Sequence, residues 1–283
     1  MAEQSVAAME QQLQAQFAQR LVGLPDGGQV AWREAGDATS DFAVVLLHGI
    51  SSGAASWLGV AQALAPRVRV LAWDAPGYGD STPLAAAAPH DADYARVLAQ
   101  SLPALGVRRC LLVGHSLGAL MAAPFAVAAP HVVQRLVLIS PAGGYGAPTK
   151  AEQQAKVRGN RLTALAEKGV AGLAVAIDQR LVSPHGSDAA RQWVRWNTAR
   201  MHAAGYAQAV ELLCASDLGQ AAGKLAMPVQ VWVGDCDVVT TPAACQAWAG
   251  LLDAPFALLE GAGHASPVEQ PAAIAVKLAA LLD

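Results

Sequence analysis

Two hydrophobic rhythms alternate along the chain. The first is a set of short, unbroken apolar runs: AVVLLH (Ala43–His48), VRVLAW (Val68–Trp73), CLLVGH (Cys110–His115), RLVLIS (Arg135–Ser140), VQVWVG (Val229–Gly234) and FALLE (Phe256–Glu260). Runs this short, with no polar alternation, predict strands buried on both faces. The second rhythm is helical. It covers an Ala-rich stretch ending at Ala65, Asp91–Leu105, LGALMAAPFAVAAP directly behind the third strand, Thr241–Leu252, and a segment from Pro271 to the end. Strand and helix in alternation predict right-handed crossovers, hence an α/β fold with a mostly parallel central sheet flanked by helices.

Two regions depart from this rhythm. Residues 1–20 are polar and Gln-rich, with Leu13 and Phe17 four apart, and predict an N-terminal helical extension. Behind them QVAWREAG alternates like a strand between the turn-like GLPDGG and DATSD, the pattern of an N-terminal hairpin. Thr149–Gly223 contains no strong strand run and is helical throughout. The expected organisation is a core of residues 21–143 and 226–283, with a helical cap, or lid, inserted at 144–225. That insertion falls on the carboxyl edge of the sheet, where open α/β sheets bind ligands.

Composition narrows the partners. The chain has 283 residues, a net charge of −3 and 54% hydrophobic residues, enough for a sizeable core. No apolar run reaches the roughly 18–20 uncharged residues of a membrane span. Charge is mild and unclustered, so no nucleic-acid partner is expected. The four cysteines are scattered without metal-ligand spacing, and the first residues lack the basic and apolar regions of a secretory signal. A reducing cytoplasm is the expected compartment. The sequence is silent on oligomeric state.

The chemistry centres on LLVGHSLGAL (Leu111–Leu120). Strand residues precede Ser116 and helix residues follow at once. So sharp a reversal forces the serine into a strained backbone conformation, and Gly114 and Gly118 remove Cβ atoms that would collide. The hydroxyl is then presented above the carboxyl edge, at a helix N-terminus. A serine hydroxyl needs a base, and the base an orienting partner. Of seven histidines, His264 sits in a Gly-rich loop after the last strand and is the candidate base. His115 is expected to point away from Ser116, and His48 to fix the loop behind its strand. His90, His131, His185 and His202 lie in polar, exposed contexts. Two carboxylates compete for the orienting role in VGDCDVVTTP. Asp237, farther along the loop, is favoured, and Asp235 is read as a turn cap. Backbone N–H groups of Ile50 and Leu117 are the candidate oxyanion donors; Gly49 permits the close approach.

With these residues in view, the chain resembles the α/β-hydrolase fold superfamily. LLHGISSG, WDAPGYGDS, VGHSLGAL, VGDCDVVTTP and GAGHASPVEQP carry the match in order, from about Val30 to the C-terminus. The resemblance implies Ser116, Asp237 and His264 as nucleophile, acid and base, Ile50 and Leu117 as oxyanion positions, and the helical block as cap. ALAEKGVAGLAVAIDQRLVSP and GYAQAVELLCASDL are similar to caps of the 3-oxoadipate enol-lactone hydrolase and carboxylesterase branch. That branch usually has Met-Gly-Gly after its nucleophile, where Leu117-Gly118-Ala119 stands here. PAGGYG is similar to carbon–carbon bond hydrolases of meta-cleavage type, although ISSGAAS lacks the proline typical of their loop.

The resulting expectation is a serine hydrolase acting on a small-to-medium, largely apolar ester or lactone, with no metal, nucleotide or flavin. Carbon–carbon bond hydrolysis, acyl transfer or perhydrolysis would use the same residues. A non-catalytic binding protein on this fold is the alternative of a different class, against which the intact triad weighs. Substrate contacts are assigned to Ser51 and to Trp193 and Trp196, three apart on a helix, where packing of the cap is the competing reading. Arg195 and Arg200 are read as a solvated helix face, Asp74 as a loop-shaping residue, and Asp217 as a helix N-cap.

Overall fold

Each central strand buries both its faces, and the alternation of its side chains divides the interior in two. Ala43, Val45 and Leu47 pack into one apolar cluster, while their neighbours Val44 and Leu46 pack into another on the opposite face. Cys110 and Leu112 alternate with Leu111 and Val113 in the same way. This explains the continuous apolar runs, because no position on such a strand meets water.

The computed structural model describes residues 5–282. The strands are β1 (Ala18–Gly23), β2 (Gln29–Ala35), β3 (Phe42–Leu47), β4 (Arg69–Trp73), β5 (Arg109–His115), β6 (Val133–Ile139), β7 (Val229–Gly234) and β8 (Phe256–Leu259). They form one sheet in the order β1-β2-β4-β3-β5-β6-β7-β8. β1 pairs antiparallel with β2, and β2 with β4; every other neighbouring pair is parallel. Helices α1 (Val6–Gln16), α2 (Leu58–Leu64), α3 (Asp91–Ala104) and α4 (Gly118–Ala128) lie in the first half. The insertion between β6 and β7 holds α5 (Ala151–Ala174), α6 (Asp178–Leu181), α7 (Asp188–Ala199) and α8 (Ala203–Ala215). α9 (Pro242–Leu251), α10 (Ser266–Glu269) and α11 (Pro271–Ala279) complete the chain. α1, α2 and α11 cover one face of the sheet; α3, α4 and α9 cover the other.

Three expectations are adjusted. The N-terminal helix stops at Gln16, and Ala18–Gly23 joins the sheet as its edge strand, so the extension is not helical to residue 20. Backbone pairing with β2 overrides the helical pattern there, with Val22 buried and its neighbours outward. The part of that extension at residues 1–4 lies outside the described residues. The last helix ends at Ala279, short of the C-terminus. Within the insertion, α5 is broken at Gly169, whose φ of 61° only glycine adopts at little cost.

Because the central strands are parallel, the ends of β3, β5, β6, β7 and β8 open on one edge. Packing on that edge is tight where α4 leaves β5. A Cβ on Gly118 would sit 2.5 Å from the Leu47 carbonyl oxygen, and one on Gly114 would sit 2.7 Å from the Gly118 carbonyl oxygen. Gly159, inside α5, has open space around it. Gly118→Ala is therefore expected to destabilise by about 2 kcal/mol or more. Gly159→Ala should stabilise by about 0.5–1 kcal/mol. Urea midpoints of the two variants test the contrast; equal shifts would refute it.

Candidate functional site

The turn from β5 into α4 leaves Ser116 with φ 53°, one of three non-glycine residues among those described with positive φ. The strain is held by packing on all sides. The Ser116 N–H donates to the Ile139 carbonyl at 2.9 Å, and the Ser116 carbonyl accepts from Ala119 and Ala142. The Ser116 side chain is thus fixed on the sheet edge, pointing at the loop after β8.

His264, on that loop, meets it. Its Nε2 lies 3.0 Å from Ser116 Oγ, and its Nδ1 lies 2.8 Å from Asp237 Oδ2. A neutral imidazole protonated on Nδ1 satisfies both contacts: it donates to Asp237 and accepts from the serine hydroxyl. All three side chains are buried. Asp237 also accepts from the N–H groups of Val239 at 2.7 Å and Thr240 at 3.0 Å. Burial alone would raise its carboxyl. The His264 hydrogen bond and charge, with the two N–H donors, outweigh burial and lower it to about 2. Asp235 lies outside this line. Desolvation would raise its carboxyl, but the neighbouring amides of Gly261, Ala262 and Cys236 and the Cys236 thiol outweigh it and hold it below the ordinary range. Between them, Cys236 has its thiol pushed up by desolvation and by the Asp235 carboxylate, so it is no nucleophile.

The backbone on either side of Ser116 is also arranged. The loop after β3 comes so close that a Cβ on Gly49 would sit 3.0 Å from Ser116 Cβ. Ile50 and Leu117 are buried beside the serine, and neither amide donates to an acceptor among the described residues. Two buried, unpaired N–H groups next to a hydroxyl are unfavourable unless something negative or polar completes them. The cleft above has a volume of about 300 Å³, with the sheet edge as its floor and the insertion as its roof.

Three features of the site were not read from the sequence. His115 does not point away. Its Nε2–H donates to the His264 carbonyl at 2.8 Å, and the two rings lie 5.1 Å apart. Thr240 Oγ1 sits 3.0 Å from Asp237 Oδ2 and 3.3 Å from His264 Nδ1, beside the contact between them. Glu269 bonds the Gly263 N–H and the Ser183 N–H, both at 2.8 Å, tying the His264 loop to the insertion. For His115 and Thr240, adjacency to a motif was the only available signal.

The remaining expectations divide. Ser51 lines the cleft. Trp193 and Trp196 do not, and the expectation that they contact substrate is corrected. The two indoles stack at 4.4 Å, Trp193 donating to the Ala55 carbonyl and Trp196 to Glu10, so they pack the insertion onto the core and onto α1. Arg195 is not a merely solvated residue: it forms a two-pronged ion pair with Asp178, which is only 1% exposed. Arg200 lies over the Trp196 ring at 4.7 Å. His48 fixes its loop as expected, donating from Nδ1 to the Gly49 carbonyl and accepting the Ala75 N–H on Nε2. Asp74 accepts the Ala54 N–H, and Asp217 caps the short helical turn Leu218–Ala221. Among the described residues no cluster of His, Cys, Asp or Glu could hold a metal ion, and no helix is long and apolar enough to cross a membrane.

Comparison with known proteins agrees with this architecture. A family model for the alpha/beta hydrolase fold matches residues 43–271. A 2-hydroxy-6-oxononadienedioate/2-hydroxy-6-oxononatrienedioate hydrolase of Cupriavidus pinatubonensis is 38% identical over 110 residues, 38% of this chain and 37% of that protein. Such curated relatives are matched over only 33% to 40% of their own length. An esterase of Thermogutta terrifontis superposes with a TM-score of 0.80 at 22% identity, over 93% of this chain and 97% of that one. An enol-lactonase of Burkholderia xenovorans does so with a TM-score of 0.80 at 21% identity, over 93% and 99%. At these identities the two structures share the fold.

The buried imidazole of His115 sets a pH dependence. Burial, reinforced by the neighbouring His264, pushes it from 6.5 down to about 3. Between those values the unfolded chain binds a proton that the folded chain refuses. Stability therefore falls as pH drops through this window, by up to about 1.4 kcal/mol per pH unit from this group. His115→Gln retains a donor for the His264 carbonyl and removes the titration. It should flatten the stability loss between about pH 6 and about pH 4 in urea melts. An unchanged slope would refute the assignment.

Proposed function

The chain belongs to the α/β hydrolase fold family, and from that premise we propose a serine hydrolase that cleaves a small-to-medium carboxylic ester or lactone through an acyl-enzyme on Ser116. The observation that carries this reading is the line from Ser116 Oγ through His264 to Asp237, at 3.0 and 2.8 Å, on the floor of the cleft. As Oγ attacks the carbonyl carbon, its proton passes to His264 Nε2. The carbonyl oxygen gains charge and is received by the N–H groups of Ile50 and Leu117, which have no other acceptor among the described residues. Collapse of the adduct expels the alkoxide, which takes the proton from the imidazolium. Water, deprotonated by the same nitrogen, then cleaves the acyl-enzyme and restores Ser116. Asp237, ionised down to about pH 2, holds the Nδ1–H tautomer and stabilises the imidazolium throughout. The insertion serves as the cap that shapes the cleft, and the four free cysteines fit a reducing, cytoplasmic setting.

A second reading is carbon–carbon bond hydrolysis of a vinylogous diketone with the same residues. Its support is the partial similarity to the hydrolases of Cupriavidus pinatubonensis and Burkholderia vietnamiensis. Product analysis on matched ester, lactone and diketone panels separates the two.

A fluorophosphonate probe tests the nucleophile. Wild type should be labelled and Ser116→Ala should not; a folded wild type that resists labelling overturns the proposal. Asp237→Asn should lower kcat by about 10³-fold or more. Asp235→Asn, at a turn cap, should cost far less. Collapse of the rate in Asp235→Asn alone would reassign the acid.

A further inference from the structure

Some of the cations on the insertion are matched by carboxylates, Arg191 among them through Asp178 at 4.0 Å. Arg158 pairs with Glu211 at 3.0 Å, and Arg195 pairs with Asp178. The cations that face the cleft are different. Lys150, Arg161 and Arg180 line it, and among its described lining residues none is aspartate or glutamate. Arg161, half-buried on α5, donates from Nη1 to the Tyr206 hydroxyl at 3.1 Å, leaving its other donors for a ligand. Lys150, half-buried just before α5, donates to the Gly144 carbonyl at 3.0 Å and lies 5.7 Å over the Trp248 ring. Both partners are neutral, so neither charge is compensated by its bond. Arg180 stands exposed at the rim, and its side chain bonds to none of the described residues.

We propose that this wall of the cleft is a carboxylate-binding subsite centred on Arg161. The preferred substrate would then be an ester or lactone that bears a carboxylate remote from its scissile carbonyl. The inference rests on the hydrolase reading above and changes its expected substrate from largely apolar to anionic. Ser116 lies on the floor and Arg161 on the helical wall, so a bound molecule presents its carbonyl to the sheet edge and its acid group to the cap. Tyr206, buried on α8, holds the guanidinium in place from behind. A planar fork with free donors, in a cleft without competing acids, suits a carboxylate and adds directional bonds to the Coulomb attraction. Lys150 adds positive field from the start of the same helix, and Arg180 draws anions toward the mouth.

The test compares p-nitrophenyl hydrogen glutarate with p-nitrophenyl pentanoate, acyl groups of equal chain length that differ in the terminal charge. Wild type should favour the acidic ester in kcat/KM by about tenfold or more at low ionic strength, the ratio shrinking as salt is added. Arg161→Gln should lower that ratio about tenfold, and Arg161→Lys, which keeps the charge and loses the fork, should keep only part of it. Arg96→Gln, on the distant α3 surface, should leave the ratio as in wild type. Binding of monomethyl glutarate and dimethyl glutarate to the full-length Ser116→Ala protein gives a reading independent of turnover. The monoacid should bind tighter there, and Arg161→Gln in that background should remove the preference. Equal binding of the two glutarates, or a ratio that folded Arg161→Gln leaves intact, overturns the subsite. Failure of both esters to turn over while the monoacid still binds tighter would instead refute the hydrolase reading and leave the subsite standing.

Discussion

The site rests on the absence of two Cβ atoms. Gly114 and Gly118 let α4 lie directly against β3 and β5, at separations no side chain tolerates. The residue between them must then reverse the chain within a single position, and Ser116 does so at φ 53°. That conformation costs free energy. It persists because its backbone N–H and C=O are bonded into the sheet edge and the following loop. The same reversal leaves the Leu117 amide at the start of α4 without an acceptor among the described residues and brings the Gly49 loop against the serine. Backbone packing therefore sets both where the Ser116 hydroxyl stands and which N–H groups surround it.

Electrostatics is built outward from that point. Buried groups of opposite preference share a few ångströms: Asp237 is held ionised, while His115 is held neutral by the same burial. Desolvation acts on both, and the difference is that Asp237 has charge-matched donors where His115 has a carbonyl. Buried Asp178 keeps its charge beside Arg195, whereas buried Arg33 bonds only to the Phe17 carbonyl among the described residues. The cleft-facing Lys150 and Arg161 also bond to neutral groups, a carbonyl and a phenol, but they line a cleft that a ligand can enter. An anionic ligand there would supply the charge their own partners lack.

Much of this was legible in the sequence, for physical reasons. Strands buried on both faces leave continuous apolar runs, and the six runs all became strands of one sheet, although the last of them, β8, lies at the sheet edge with Leu258 exposed instead of buried on both faces. Ser116 was legible because strand, glycines and helix compress into five residues, and His264 because a Gly-rich loop follows a strand. The position of Asp237 followed from loop length alone, and the structure brings that carboxylate, not Asp235, against the imidazole. What escaped is whatever depends on partners distant in the chain. β1 forms because β2 offers it an edge. Trp193 and Trp196 face the core and α1 instead of the cleft, which a three-residue spacing leaves undecided. Arg161 lies among several cations on one amphipathic helix, and only the fold separates it from Arg158, which has found Glu211.

The insertion and the His264 loop are one mechanical unit. Glu269 bonds both the Gly263 N–H, next to His264, and the Ser183 N–H in the insertion. Ser183 Oγ donates to the Gly261 carbonyl at 3.0 Å, and the Ala265 N–H donates to the Leu181 carbonyl at 2.8 Å. A Cβ on Gly263 would lie 2.6 Å from the Ser183 amide nitrogen, so the two segments touch with no room for a side chain. A movement that lifts residues 181–183 away would therefore pull on the loop that aims the imidazole. α5, which carries Arg161, is held to α8 by the Arg158–Glu211 pair and by the Gln154 bond to the Cys214 carbonyl, and breaks only farther on, at Gly169. The fold thus holds Arg161 through α8, and holds the His264 loop through residues 181–183.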